Sequence, residues 1–143
     1  MSRTVEQADI AARSRATYAP FAGVALLSVQ QWLFFSREWN DVGALQLGAW
    51  LVLAILALLF LMTGGMWFRS AQVRALANDE TTERSRQVAI KAGFLSALVT
   101  ALIVFAVSPF EPLSAQRAAH IICSLGLGIA LVVFGIEERR HLG

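Results

Sequence analysis

Hydrophobic positions along this chain gather into four long runs set apart by charged blocks. The runs cover about 17–35, 44–68, 88–107 and 118–136. Each is long enough for a helix to cross a bilayer, whose apolar core is about 30 Å thick and takes roughly 20 residues at 1.5 Å each. Stretches such as Leu51-Val52-Leu53-Ala54-Ile55-Leu56 lack the two-residue alternation of a membrane β-strand. The pattern predicts an all-α integral membrane protein: one domain over 1–143, four transmembrane helices and a central polar loop at 69–87. The first run is read as a retained helix. Polar residues including Glu6 and Asp9 precede it, and its end, Gln30-Gln31-Trp32-Leu33-Phe34-Phe35, has no small-x-small cleavage pattern.

The breaks between runs differ in kind. Residues 36–41 and 108–113 are short connections, the second carrying Pro109 and Pro112, which end helical propagation. The central break is longer and charged. The second helix is expected to continue through Arg74-Ala75-Leu76-Ala77, Asn78 or Asp79 to cap the third helix, and Asp79, Glu80 and Glu83 to occupy its first turn. Glu80 and Arg84 stand four apart in the order that favours pairing. Lys91 is expected to reach back to the headgroups.

Charge then gives orientation. Ten basic residues fall on the N-terminal segment, the central loop with its edges, and the C-terminus, against two, Arg37 and Arg117, for the opposite face. By the positive-inside rule the N-terminus, central loop and C-terminus are expected in the cytoplasm of a bacterial inner membrane. Trp32, Trp39 and Trp50 then fall near the outer interface and Trp67 near the inner one, as an aromatic belt requires.

Composition agrees and narrows the function classes. The chain is 57% hydrophobic and 15% charged, against about 45–50% and 25% in soluble domains. Its pI is near 9.3, yet the cations flank apolar runs, so membrane orientation accounts for them and direct nucleic-acid binding is not expected. Cys123 is the only cysteine and can form no intramolecular disulfide. With His120 it makes a His-x-x-Cys pair, but two ligands do not complete a metal site. No metal or cofactor is expected. No acidic residue falls within the middle of a run, and Glu137 and Glu138 read as solvated charges at a helix end. No nucleophile, base and orienting group converge, so the chain is not expected to be an enzyme.

Two sets of residues remain as candidates inside the spans. Gln30, Gln31, Gln46 and His120 share the outer depth, where polar groups are costly and suggest function, here an outer polar pocket. Interfacial solvation is the blander account. Gly93, Ala97 and Ala101 on the third helix, and Ser124 and Gly128 on the fourth, repeat at four residues and offer ridges for close helix packing, within the chain or in a homodimer. A short internal repeat also stands out, 45–52 against 125–132, with Ala22-Gly23 and Ala92-Gly93 in comparable places. It is brief enough to arise by chance.

The stretch Asn78-Asp79-Glu80-Thr81-Thr82-Glu83-Arg84-Ser85-Arg86, continuing to Ala89, Ala92, Gly93 and Phe94, resembles a signature of small bacterial inner-membrane proteins with four helices. There an Asn-Asp-Glu or Asp-Glu-Arg stretch opens the third helix; here Thr81 stands in place of the Arg of the second form. Some of those proteins are similar to membrane partners that restrain helix-turn-helix or LytTR-type transcription factors. The resemblance implies a non-enzymatic membrane anchor or regulator. It would bind a cytosolic regulatory protein through Asn78, Asp79, Glu80, Arg84 and Arg86, with membrane lipid as its other partner. The alternative expectations are a small oligomeric transporter or channel using the outer polar residues, and an accessory subunit of a membrane complex.

Overall fold

The computed structural model describes residues 3–35, 44–65, 80–111 and 113–142. They form four helices: α1 (Arg3–Phe35), α2 (Ala44–Thr63), α3 (Glu80–Val107) and α4 (Ala115–Leu142). Three of them, α2, α3 and α4, are long and apolar enough to cross a membrane. The apolar part of α1 is diluted by Thr17, Pro20, Gln30 and Gln31.

Two helix ends depart from expectation or explain themselves locally. α2 closes at Thr63, five residues short of the expected 68, because Gly64 and Gly65 take positive φ of 64° and 72°. Glycine reaches this left-handed region without a Cβ penalty, and the Gly65 amide donates back to the Phe60 carbonyl at 3.1 Å, capping the helix. The expected run on to Ala77, and the caps Asn78 and Asp79, lie outside the described residues. α4 starts behind Ser114, whose Oγ accepts from the Arg117 amide at 3.2 Å, an N-cap. Its last turn carries Arg139, Arg140 and His141, favourably placed at the negative end of the helix dipole.

α4 is the organising helix: α1 and α3 both pack chiefly against it, α2 more lightly. The reason is visible in its sequence. Ser124 and Gly128 form one small-residue pair, Gly126 and Ala130 another, and an offset of two residues places the pairs on opposite faces of a 3.6-residue turn. On one face a Cβ added to Gly128 would lie 2.5 Å from Cγ of Leu27, and one on Gly23 would lie 2.7 Å from the Gly128 carbonyl oxygen. On the other a Cβ on Gly93 would lie 2.7 Å from both the Gly126 carbonyl oxygen and the Ala130 Cβ. The ridge of Gly93 and Ala97 therefore meets Gly126 and Ala130, while Ser124 and Gly128 face α2 and α1; Ala101 is half-buried further along α3. Gly23 and Gly93, paired in the faint repeat, each sit where their helix comes close to α4.

The buried centre is small: Ala19, Leu61, Ala89, Ala130, Leu131 and Phe134, with Phe60 edge-on to Phe134 at 5.9 Å. Much of the apolar side-chain surface points outward instead, including Leu51, Val52, Ile55, Leu56, Leu102, Ile103 and Phe105. A belt of that size is out of place in water and suited to lipid. Polar side chains within the apolar helices bond their own backbone, as with Thr63 to Leu59 at 2.8 Å and Thr100 to Ser96 at 2.7 Å.

Candidate functional site

Polar chemistry gathers at the two ends of the bundle. At the end where α1 and α3 begin and α4 finishes, Arg15 is 5% exposed and reaches three other helix ends. Its Nη2 lies 3.3 Å from Oε2 of Glu138, itself 5% exposed. Nη1 donates to the Gly64 carbonyl at 3.2 Å and Nη2 to Thr82 Oγ1 at 3.4 Å. Arg139 repeats the tie from the other direction, donating from Nε to the Ala16 carbonyl at 2.9 Å. A planar guanidinium with several donors in a fixed fork suits such a junction, where a lysine would make a point contact.

The surface around this junction is charged. Arg13 pairs with Asp9 at 3.3 Å, Arg140 with Glu137 at 2.7 Å, and Arg86 with Glu83. Arg86 also donates to the Met62 carbonyl at 2.6 Å, joining α3 to α2. The pair formed in the first turns of α3 is thus Glu83 with Arg86, while Glu80 and Arg84 are exposed. Of the expected partner-binding residues, Glu80, Arg84 and Arg86 stand on the first two turns of α3; Asn78 and Asp79 are outside the described residues.

At the opposite end a smaller cluster joins α2 to α4. The Trp50 indole N–H donates to Ser124 Oγ at 3.2 Å, and its ring lies 4.9 Å from the His120 ring, tilted by 48°. Ser124 and His120 are buried, at 0% and 3% exposure. Gln46 is half-buried one turn before Trp50. Gln30 and Gln31 lie near the end of α1, their side chains outside the described set. Of the four residues expected to share an outer pocket, His120 is thus engaged with Trp50, whose expected place near the outer interface is legible in the sequence without its partner. Cys123, three residues on, is exposed and faces away from this cluster into the cleft between α2 and α3. Among the described residues no three His, Cys, Asp or Glu side chains gather as a metal site.

No family model, curated protein or solved structure matches this chain.

One expectation is corrected outright. Glu138 is not a solvated helix-end charge; it is buried against Arg15, because it continues the inward stripe of Leu131 and Phe134 by one further turn. Arg15 likewise extends the buried stripe of Ala11 and Ala19 on α1. The signal was available: an Arg and a Glu each at helical spacing from small or apolar core positions. Beside Glu137, Arg139 and Arg140, Glu138 merely looked like part of a charged tail.

Proposed function

We propose that this chain is a four-span protein of a bacterial inner membrane, with both termini cytoplasmic, acting as a non-enzymatic anchor or regulator for a cytosolic protein. The observation that carries the reading is the contrast between its surfaces. One end bears a charged collar built from Asp9, Arg13, Glu80, Arg84, Arg139 and Arg140, and the flanks between the ends are apolar.

The fourth span is supported by packing. α1 runs antiparallel to α4 from the Arg15–Glu138 pair past Gly23 to Leu27 against Gly128, so it shares the depth of a helix apolar enough to cross. Among the described residues every cation but Arg117 lies toward the collar's end of the bundle, which supports its cytoplasmic placement. Within it the exposed carboxylate of Glu80 and guanidinium of Arg84 are free of the Arg15 junction and available to a partner. A transcription regulator is the partner class that the resemblance of the 78–94 stretch suggests.

Co-purification in mild detergent tests this, comparing the native chain with the Asp79→Ala, Glu80→Ala double variant. A cytosolic protein retained by the first and lost from the second is the expected result. If every co-purifying cytosolic protein is indifferent to those carboxylates, the anchor reading is wrong.

A second reading, a small oligomeric transporter or channel, draws on the group formed by half-buried Trp50 with buried His120 and Ser124 inside the spans. Flux in reconstituted vesicles that persists after Gln30, Gln31, Gln46 and His120 are all replaced by Leu would eliminate them as its pathway.

A further inference from the structure

α2 and α3 each lean on α4 but scarcely on each other, and the gap between them is an apolar groove enclosing about 480 Å³. Leu58 and Met62 form one wall, Ile90 and Phe94 the other, and Cys123 and Gly126 of α4 the floor. Its extent, Ile90 to Ala97 on α3 and Ala130 to Ile122 on α4, is roughly 10–12 Å at 1.5 Å per residue. The apolar core of a bilayer is about 30 Å thick. The groove is therefore about as deep as one leaflet and too short to seat a helix that crosses both.

The two ends of the groove differ in charge. Its inner mouth lies under Arg86, which occupies the same face of α3 as Ile90 and Phe94 and donates to the carbonyl of Met62 on the opposite wall. Lys91, exposed, follows Ile90 directly. Glu83 pairs with Arg86 and offsets part of its charge, leaving Lys91 as the less encumbered cation. The far end closes on Ile122 and Cys123, with no charged residue in the lining. Cations above and hydrocarbon below match an amphiphile with an anionic head and one apolar chain. Both terminal nitrogens of Arg86 are already engaged, by the Met62 carbonyl and Glu83, so the exposed ammonium of Lys91 is the group that meets a phosphate directly and Arg86 adds positive field at the mouth.

We infer that this groove binds one anionic phospholipid of the inner leaflet, an acyl chain lying between α2 and α3 and the phosphate on Lys91, within the positive field of Arg86. The inference rests on the membrane reading but not on any cytosolic partner, so it stands or falls on the purified chain alone. Cys123, the only cysteine, marks the floor and reports on whatever fills it.

The test uses the full chain in mild detergent with equimolar dioleoylphosphatidylglycerol and dioleoylphosphatidylcholine, retained lipid being counted by native mass spectrometry. One phosphatidylglycerol per chain is expected, favoured several-fold over phosphatidylcholine. Lys91→Gln, a change at an exposed side chain, reduces that preference, and the Arg86→Gln, Lys91→Gln double variant brings it close to parity. Cys123→Phe, which fills the floor, removes the retained lipid while leaving lipid-free melting unchanged. Equal retention of the two lipids by the native chain would overturn the inference, as would a preference indifferent to both cation substitutions. High-yield oxidative crosslinking between Cys123 residues of two chains would also overturn it, since a second copy would then occupy the groove.

Discussion

Replacing Glu138 by Met strands a guanidinium at the end of the bundle where α1 and α3 begin. In the native chain Arg15 is 5% exposed and its charge is met by a carboxylate 3.3 Å away. Removing one partner of a buried ion pair costs about 3–5 kcal/mol, because the remaining charge keeps its desolvation penalty and loses its counterion. Arg15→Met is expected to cost a comparable amount, since it also forfeits the bonds to the Gly64 carbonyl and Thr82 Oγ1, each worth roughly 0.5–1.5 kcal/mol. The informative variant is the double one. With both charges gone no ion is left buried, and apolar replacement of a buried pair is often close to neutral. The Arg15→Met, Glu138→Met chain is therefore expected to lose only about 1–3 kcal/mol, the worth of the bonds to the Gly64 carbonyl and Thr82 Oγ1, far less than its two parents combined. Reversible unfolding by a denaturing detergent titrated into mild micelles supplies the three free energies. Non-interacting substitutions add to within about 0.5 kcal/mol. Additivity of that quality here would refute the claim that Arg15 and Glu138 form an energetic unit.

Four further outcomes are expected. Gly128→Ala lowers the melting temperature because its Cβ meets Leu27, whereas Gly48→Ala, with nothing within 4 Å of its Cβ, leaves melting unchanged or raises it, by the roughly 0.5–1 kcal/mol that alanine gains over glycine in a helix. Because Gly128 faces α1 of its own chain, Gly128→Leu is expected to lower melting, and a variant that lost crosslinked dimer with melting intact would contradict that packing. Trp50→Phe loses the bond to Ser124, and thermal unfolding in detergent is expected to register about 0.6 kcal/mol, the mean for polar contacts between membrane helices, with roughly 1.7 as the ceiling. Reporter fusions after Asn78 and after Gly143 should signal cytoplasm and one after Asn40 periplasm; a periplasmic signal at Asn78 would reverse the orientation and remove the basis for a cytosolic partner.

The helices were legible because their signal is long. Runs of about twenty apolar residues cannot be mistaken for strands, and the small residues of α4 were visible as close-packing positions. Which faces would meet was not legible. Ser124, Gly126, Gly128 and Ala130 follow one another at every second residue, so the sequence offers two ridges on α4 and names no partner for either. The end of α2 was missed because an apolar run continues through Met66-Trp67-Phe68 and hides the Gly64-Gly65 turn. The outer candidates were chosen by depth alone, and depth says nothing of rotation about the helix axis; that rotation turns His120 toward Trp50 and Cys123 away from it. The pairing of Arg15 with Glu138 is hidden because charge near a membrane edge is ordinarily solvated, and only the Ala11–Arg15–Ala19 and Leu131–Phe134–Glu138 spacings argue otherwise.

The dominance of α4 in the packing has a consequence for how the protein is made. α1 and α3 find most of their neighbours on the last of the four helices to be synthesised. Until α4 enters the bilayer, Gly23 and Gly93 have nothing to close against, and Arg15 has no carboxylate from Glu138. Nascent α1, α2 and α3 are therefore expected to wait as a loose set whose partner has yet to arrive, with assembly a late, concerted event in place of stepwise growth hairpin by hairpin. During that interval the uncompensated Arg15 and the open small-residue faces expose the chain to mispairing and to quality-control proteases. Chains halted before α4 are expected to be degraded far faster than complete ones, a difference that a pulse-chase measurement reads directly.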